Sequence, residues 1–283
     1  MTRSSENGLE PAGHHPDGQR QHHGPFDIVG DVHGCFDELH ELLDQLGYVV
    51  HDTTDPDGAP SHAVTPPPGR CLIFLGDLID RGPTVIAVLR LAMGMVQAGT
   101  ALCLLGNHDA KLRGKLHGRN VQLRHGLAET VARIEAEPAA FSDRVRGFLD
   151  GCLPHLVLDN GRLVVAHAGL KHALHGSRSR EADQFALFGD TTGQSDRYGL
   201  PVRRDWAASY RGEAMVVYGH TPVAEAVWRH RTINIDTGCV FGGGLTALRY
   251  PEGDLVTVPA HRVYTVSPRP FLPQHDGTGR VPT

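Results

Sequence analysis

The chain has 283 residues, a formal net charge of −5 and 40% hydrophobic residues. This length is sufficient for one large folded domain, and the composition is that of a globular protein, which excludes a fibrous or fully disordered chain. The weakly acidic charge provides no overall basic field that would favour binding to nucleic acid or to an anionic membrane.

The two ends of the chain differ in composition from its centre. Residues 1–24 are rich in Gly, Pro, Gln and His and lack hydrophobic periodicity, so they predict a disordered tail. The histidines of this tail are interpreted as solvated: His14, His15, His22 and His23. One folded domain is predicted over residues 25–260. Residues 261–283, which contain several prolines, predict an extended tail over the surface.

Hydrophobic patterns predict alternating strands and helices at the start of the domain. A strand at residues 26–30 precedes a helix that ends at Gly47. The apolar face of this helix comprises Phe36, Leu39, Leu42, Leu43 and Leu46. Residues 51–69, rich in Asp, Pro and Gly, predict a loop. A second helix opens at Pro83, and residues 109–150 predict several more.

Strands dominate the later part of the chain. Further strands are predicted at residues 71–75, 101–105, 163–166, 214–218, 232–235, 245–249 and 255–258. Alternation followed by a run of strands predicts an α/β (α+β) fold with a mixed sheet, or two packed sheets, flanked by helices. No internal repeat or linker interrupts the pattern.

Polar clusters directly follow six of these strands. They lie at residues 31–34, 76–82, 106–109, 167, 219–220 and 236. Ligands of open α/β sheets bind beyond the carboxyl ends of the strands, where the following loops converge. We therefore expect these clusters to share one crevice.

The residue types in the clusters are those of a metal site. The candidate ligands are Asp31, His33, Asp77, Asn107, His167 and His220. A strand-terminal Asp alone usually caps a turn or helix, and a lone His is usually a hydrogen-bonded core residue. Turns do not require Asp, His and Asn at three consecutive strand ends, so the joint pattern favours a metal site. Such N/O ligands suit two divalent ions, with Mn expected first and Fe, Zn, Co or Ni as alternatives.

Two metal ions can neutralise phosphoryl oxygens and activate water, which points to phosphoester hydrolysis. His108, next to Asn107, is placed to give a proton to the leaving oxygen, and Asp80 to hold its tautomer. Arg81 is a candidate phosphate clamp. Asp236 is a candidate substrate-site residue that orients a metal-binding histidine. For Arg203 and Arg204, phosphate binding and an ordinary exposed basic pair remain equal alternatives.

Five blocks resemble the signature motifs of the calcineurin-like metallophosphoesterases, in family order. They are GDVHG (30–34), GDLIDRG (76–82), GNHD (106–109), AHAG (166–169) and YGHTP (218–222). The resemblance implies an αββα sandwich with a dinuclear site at one edge. It implies a first ion on Asp31, His33 and Asp77, and a second on Asp77, Asn107, His167 and His220. It also implies that His108 with Asp80 assists the leaving group and that Arg81 contacts phosphate.

Longer stretches, at 91–108, 118–127 and 233–242, resemble the bacterial bis(5′-nucleosyl)-tetraphosphatases and the phosphatase module of bacterial polynucleotide kinase-phosphatases. No G-x-x-x-x-G-K-[ST] loop occurs, so a linked kinase is not expected. The resemblance implies a phosphorylated small molecule or nucleotide as substrate, with bis(5′-nucleosyl) tetraphosphates first and a nucleic-acid end as an alternative.

Two other functions are weighed against this one. A protein serine/threonine phosphatase is disfavoured because Asp109 stands where those relatives usually carry Glu. A non-catalytic metal-binding regulator would need a lost ligand or a lost proton donor, and neither is lost. Oligomeric state is not encoded in these patterns.

The five cysteines are scattered and odd in number, and none lies in a C-x-x-C pair. We interpret them as small buried hydrophobic residues in a reducing environment. No run approaches ~18 apolar residues, and the N-terminus has no apolar signal-peptide core. The sequence therefore predicts a cytoplasmic protein without a membrane partner.

Overall fold

Two five-stranded β-sheets face each other in the computed structural model, which describes residues 22–272. The strands are β1 (Phe26–Val29), β2 (Val49–Thr54), β3 (Pro60–Thr65), β4 (Cys71–Phe74), β5 (Ala101–Cys103), β6 (His155–Leu158), β7 (Leu163–Ala166), β8 (Thr191–Ser195), β9 (Pro201–Arg203), β10 (Met215–Tyr218), β11 (Trp228–Arg229), β12 (Thr232–Asn234), β13 (Gly244–Tyr250) and β14 (Leu255–Pro259). The helices are α1 (Phe36–Leu46), α2 (Val85–Gln97), α3 (Asn107–Leu116), α4 (Leu127–Glu135), α5 (Ala139–Gly151) and α6 (Arg180–Phe188).

The central strands of both sheets are parallel. The first sheet has the order β14-β13-β1-β4-β5, and the second has the order β11-β12-β10-β7-β6. In the first sheet, β1 pairs in parallel with β4, and β4 with β5. In the second, β10 pairs in parallel with both β7 and β12. The carboxyl ends of these parallel strands therefore lie side by side within each sheet.

Side-chain alternation along the strands builds three apolar layers. In β4, Leu72 and Phe74 pack against the helices α1 to α5, whereas Ile73, on the opposite face, packs between the two sheets. In the second sheet, Val164 and Val216 face outward and pack against α6 and Trp206. The layers are thus helices, sheet, sheet and helix, and the predicted αββα sandwich is confirmed.

The first predicted helix is confirmed as α1. Its predicted apolar face contributes Leu39, Leu42 and Leu43 to the core, all fully buried. Gly47 ends the helix in the left-handed conformation, with φ of 88°, which a residue without Cβ adopts at little cost. The several helices predicted over residues 109–150 correspond to α3, α4 and α5.

The loop predicted over residues 51–69 was wrong, because most of it forms the β2–β3 hairpin. The Asp, Pro and Gly residues that suggested a loop are concentrated in its turn. There, Asp55 and Asp57 form ion pairs with Arg90 of α2. Both strands are largely exposed, so they lack the apolar alternation by which a strand is recognised in sequence.

Other elements were not predicted. They are β6, β8, β9, β11 and α6. The strands β8 and β9 are short, mostly exposed and polar, and pair only with each other. Strand β6 is fully buried, and its short apolar run carries no alternation. Local sequence signals are weakest in both situations.

The described parts of the two terminal segments contact the domain. The His22 carbonyl accepts a hydrogen bond from the Asp159 backbone, and the exposed His23 ring lies 3.2 Å from the Asp159 carboxylate. Beyond residue 260, Thr265 and Leu272 form backbone hydrogen bonds with the domain. His14 and His15 lie outside the described residues. Within residues 22–272, no helix is long and apolar enough to cross a membrane.

Candidate metal centre

The strand register brings the predicted polar clusters together. Asp31, Asp77 and Asn107 follow β1, β4 and β5, and His167, His220 and Asp236 follow β7, β10 and β12. A cleft of about 810 Å³ opens over these strand ends. Of the predicted site residues, it is lined by His33, Asp77, Arg81, Asn107, His108, His220 and Asp236. The remaining ones, Asp31, Asp80 and His167, are buried.

Asp77 lies between two groups of potential ligands. Its Oδ2 atom is 3.6 Å from His33 Nε2 and 3.5 Å from His167 Nε2. His167 Nε2 in turn lies 3.1 Å from Asn107 Oδ1 and 3.0 Å from His220 Nδ1. One group, with ligand atoms within 4.8 Å of one another, contains His33, Asp77 and His108, and the other contains Asp77, His167 and His220. A carboxylate common to both groups has the position that a bridging ligand requires.

The histidine rings of the centre are held in the form that binds metal. The Nδ1 atoms of His33 and His167 donate to the carbonyl oxygens of Ile79 and Leu75, at 2.6 and 3.2 Å. Their Nε2 lone pairs then face Asp77. Burial lowers the pKa of His33 well below its usual value and lowers the pKa of His167 to about 3. Both rings are therefore neutral near pH 7, as metal ligation requires.

Two arginines are directed at ring nitrogens of the same centre. The Arg81 guanidinium lies 2.5 Å from His33 Nε2 and 2.8 Å from His108 Nε2. Arg203 lies 2.6 Å from His220 Nε2. Each guanidinium donates to the lone pair of an imidazole nitrogen. A positively charged group therefore already occupies the positions to which these lone pairs point.

The buried acids of the centre show that its residues fit divalent cations. Burial, together with the charges of Asp236 and Asp77, raises the pKa of Asp31 well above its usual value. Burial likewise raises the pKa of Asp77 to about 6 and that of Asp236 to about 7. Three desolvated carboxylates in one site repel each other when charged. Divalent cations bound among oxygen and imidazole donors would offset this repulsion.

Asp31 is placed differently from the other candidate ligands. It does not belong to either group of three ligand atoms. Its carboxylate accepts from the His220 backbone N–H, at 3.2 Å, and approaches Gly219 so closely that a Cβ there would lie 2.3 Å from Asp31 Oδ1. Ligation by Asp31 therefore stays a prediction from the motif.

His108 and Asp80 form a buried pair at the edge of the cleft. His108 Nδ1 lies 2.5 Å from Asp80 Oδ2, and the Thr130 hydroxyl donates to Asp80 Oδ1 at 2.6 Å. Burial raises the pKa of Asp80 to about 7, and burial and the Arg81 charge lower the pKa of His108 well below its usual value. The pair fixes the ring so that His108 Nε2 faces the cleft.

The expected contact between Asp236 and a histidine is not formed. Its Oδ1 atom accepts from the Gly238 backbone N–H at 3.1 Å, and its charge acts on Asp31. Asp236 therefore completes the cluster of carboxylates and lines the cleft, but it does not orient a ring.

Sequence reasoning missed a supporting role for Asp109. Its carboxylate accepts from the backbone N–H groups of Asp77, Leu78 and Gly106, at 2.7, 3.2 and 3.0 Å. It thereby fixes to each other the loops that carry the candidate ligands Asp77 and Asn107. An acidic residue at the third helical position, which can reach back to the N-cap backbone N–H as in one half of a capping box, was the available signal. The Thr130 contact with Asp80 had no such signal, because the two residues are far apart in sequence.

Backbone strain is concentrated in the centre. His33, Asp77, Asp80, Arg81 and His220 all have positive φ angles, between 45° and 73°. Non-glycine residues reach this region at a cost of about 1–3 kcal/mol each, and they keep it only where the surroundings enforce it. The Asp109 carboxylate accepts from the Asp77 backbone N–H, and the Asp77 carbonyl accepts from the His33 backbone N–H, so hydrogen bonds hold two of these residues.

The chain is similar to known phosphoesterases in sequence and in fold. The calcineurin-like phosphoesterase family profile matches residues 24–224. The asymmetrical bis(5′-nucleosyl)-tetraphosphatase PrpE of Anoxybacillus flavithermus is 45% identical over 251 residues, which are 87% of this chain and 99% of that protein. The protein of the same name from Geobacillus thermodenitrificans is 47% identical over 239 residues, 83% and 94% of the two chains. A crystal structure of a protein described provisionally as a diadenosine tetraphosphatase has a TM-score of 0.57 and 25% identity, covering 84% of this chain and 94% of that one.

Proposed function

Since the chain belongs to the calcineurin-like phosphoesterases, a family of metal-dependent hydrolases, we propose that it hydrolyses bis(5′-nucleosyl) tetraphosphates asymmetrically. The relatives that are 45% and 47% identical carry this activity in their names, and the similarity covers nearly their whole length. The single observation that carries the proposal is the shared carboxylate Asp77 between two groups of ligands at the base of a large cleft.

We assign a first ion to Asp31, His33 and Asp77, and a second to Asp77, Asn107, His167 and His220, with Mn as the first choice. Divalent ions in these positions would supply charge neutralisation for phosphoryl oxygens and a lowered pKa for the attacking water. The neutral imidazoles and the buried carboxylates of the centre orient and retain them.

Three further residues take part in the proposed reaction. Arg81 and His108 contact the substrate, and Asp80 acts through its contact with His108. Arg81 clamps phosphate oxygens, and its two terminal nitrogens already converge on the cleft beside His33 and His108. His108 Nε2 gives the proton to the departing phosphate oxygen. The Asp80 carboxylate, opposite Nδ1, stabilises the protonated ring, and a bound polyphosphate weakens the repulsion that Arg81 exerts on it.

The charge of the cleft supports a polyphosphate substrate. Besides Arg81, the cationic residues that line it are Lys111, Arg124, Arg133, Arg203 and Arg269. Its volume of about 810 Å³ is at the upper end of small-molecule sites, which are about 300–1,000 Å³. A dinucleoside tetraphosphate has a tetraanionic chain that can contact several of these cationic side chains and two nucleosides that can fill the cleft. A small monoester would contact few of them and fill little of the cleft.

The test of the proposal is a matched substrate panel with Mn²⁺. We expect the highest kcat/KM on diadenosine tetraphosphate, with ATP and AMP as the products, compared with nucleotides, cyclic nucleotides, 3′-phosphorylated RNA and a phosphopeptide. Formation of two ADP would contradict asymmetrical cleavage. A phosphopeptide kcat/KM equal to or above that of diadenosine tetraphosphate would show a protein phosphatase instead.

We predict that Arg203 binds a phosphate on the side of the centre opposite Arg81. Its guanidinium is fixed by the Phe188 carbonyl at 2.8 Å, and burial lowers its pKa to about 10, so it remains charged at neutral pH. Arg203→Ala is expected to lower kcat/KM for diadenosine tetraphosphate about 10- to 100-fold, as for loss of a charge-assisted hydrogen bond. Arg203→Lys, which keeps the positive charge, should retain part of the kcat/KM that Arg203→Ala loses.

The matched control for this prediction is Arg204→Ala. The neighbouring Arg204 is largely exposed and pairs with Asp190, so its removal should change kcat/KM little. If Arg203→Ala and Arg204→Ala lowered kcat/KM equally, the cause would be the loss of positive charge in general, and Arg203 would not be a specific phosphate contact.

A further inference from the structure

A second group of potential metal ligands lies outside the cleft. Cys35, Glu38 and Cys239 are buried, with exposed fractions of 0%, 0% and 1%, and their ligand atoms lie within 4.8 Å of one another. None of the three lines the cleft or belongs to the groups around Asp77.

The three residues come from two chain segments that directly follow candidate active-site residues. Cys35 precedes α1, two residues after His33, and Glu38 lies in the first turn of α1. Cys239 begins the short 3₁₀ turn Cys239–Phe241 that follows Asp236. About 200 residues of sequence separate Cys239 from Cys35 and Glu38. The fold therefore brings these residues together, and no sequence motif indicates the group.

Glu38 has a buried oxygen without a partner. Its Oε1 atom accepts from the His261 backbone N–H and from the Tyr264 hydroxyl, both at 2.8 Å. Its Oε2 atom has no hydrogen-bond partner. In residues 22–272, the only cationic group within 4.0 Å of the Glu38 carboxylate is the His261 ring. A buried carboxylate oxygen that is left unpaired destabilises the fold, so a ligand for it is expected.

The two thiols are adjacent to each other and to this carboxylate. The two sulfur atoms lie within 4.8 Å of each other and of a Glu38 carboxylate oxygen. The Cys35 thiol donates a long hydrogen bond to the His33 carbonyl, at 3.9 Å. Cys103 and Cys152 also interact with each other, but no acidic residue joins them in a group of ligands among the described residues.

We propose that Cys35, Cys239 and Glu38 form a metal site separate from the hydrolytic centre, for a thiophilic divalent cation such as Zn²⁺. Two thiolates and one carboxylate are a donor set that zinc accepts, and the His261 ring, with Nδ1 4.0 Å from Glu38 Oε1, offers a nitrogen donor beside them. Binding releases one proton from each thiol, and the ion supplies the positive charge that the Glu38 oxygen lacks. The N/O donors of the hydrolytic centre include no sulfur, so the two sites differ in metal preference.

The site would stabilise the loops that hold the catalytic residues. The ion joins the loop after β1, which carries Asp31 and His33, to the loop after β12, which carries Asp236. Glu38 also fixes the segment that contains His261 and Tyr264. The expected role is therefore structural and separate from the chemical step.

The test uses Co²⁺ as a spectroscopic probe on the full chain under reducing conditions. Thiolate ligation of Co²⁺ gives a near-ultraviolet charge-transfer absorption that imidazole and carboxylate ligands do not give. We expect this absorption in the wild-type protein, with the final intensity of one thiolate-bound Co²⁺ per chain whatever the Co²⁺ content of the hydrolytic centre, and its loss on addition of Zn²⁺. Cys35→Ser and Cys239→Ser should abolish it, whereas Cys103→Ser and Cys152→Ser, which alter the other pair of interacting thiols, should retain it. Glu38→Gln should weaken Co²⁺ affinity by about tenfold or more.

Two results would overturn the proposal. One is the absence of the absorption in wild-type protein whose five cysteines titrate as free thiols. The other is an unchanged absorption in both Cys35→Ser and Cys239→Ser. The wild-type spectrum does not depend on whether any variant folds, and it does not depend on the substrate of the hydrolytic centre.

Discussion

Replacement of His108 by alanine is expected to lower kcat on diadenosine tetraphosphate about 10²- to 10⁴-fold without loss of bound metal. The ring is held by Asp80 at 2.5 Å, with Nε2 facing the cleft, so the variant removes the proton for the leaving oxygen. The loss should be smaller with p-nitrophenyl phosphate, since p-nitrophenolate departs without a proton. The measurements are kcat on both substrates and metal content by elemental analysis.

His117→Ala is the matched control for that variant. His117 is a half-exposed histidine at the end of the same helix, where it pairs with Asp150 away from the cleft. Its replacement should leave kcat and metal content unchanged. His108 lies in one group of potential ligands with His33 and Asp77. A parallel loss of metal and rate in His108→Ala would therefore show that His108 is a ligand and not the proton donor.

Asp77→Asn is expected to lower kcat/KM about 10³-fold or more and to reduce the bound metal. The loss of a bridging carboxylate removes several kcal/mol of charge stabilisation, and each 1.4 kcal/mol corresponds to about a factor of ten. The substitution is nearly isosteric. The Asn oxygen can still accept from the His108 backbone N–H, as Asp77 Oδ1 does at 2.9 Å, while the amide N–H₂ replaces the Oδ2 that faces His33 and His167.

Two controls make this experiment specific. Thermal unfolding of the metal-free variant should occur at the same temperature as the wild-type protein or higher, because one of three buried, mutually repelling carboxylates is gone. In the wild-type protein, thorough chelation should abolish hydrolysis, and Mn²⁺ should restore it. Hydrolysis that survives chelation, or an Asp77→Asn variant with full metal content and full rate, would exclude the metal-dependent mechanism.

The features that suit the centre to metal binding also lower the stability of the native state when no metal is bound. Its residues combine positive φ angles, desolvated carboxylates and neutral buried imidazoles. Cations bound among the carboxylates would offset the repulsion between them. Bound metal should therefore raise the stability of the native state in proportion to the logarithm of its concentration above Kd.

The sequence alone determined the parts of this protein that depend on short-range patterns. Short apolar runs followed at once by Asp, His or Asn are local signals, and they predicted β1, β4, β5, β7 and β10 together with the polar residues at their carboxyl ends. Because parallel strands in register end at one edge of a sheet, local signals also predicted that these residues converge. Helix α1 was equally predictable, since its apolar face and the terminating Gly47 lie within twelve residues.

Only the tertiary structure decided the features that depend on contacts between distant segments. The β2–β3 hairpin turn is held by Arg90 of α2, and Arg203 reaches His220 from a hairpin whose exposed strands carry no apolar alternation. Asp236 hydrogen-bonds Gly238 and not a histidine, although the sequence suggested a ring partner. Cys35 and Cys239 meet beside Glu38 because β1 and β12 end close together in different sheets. Pairings of this kind are set by chain topology and packing, and no local periodicity encodes them.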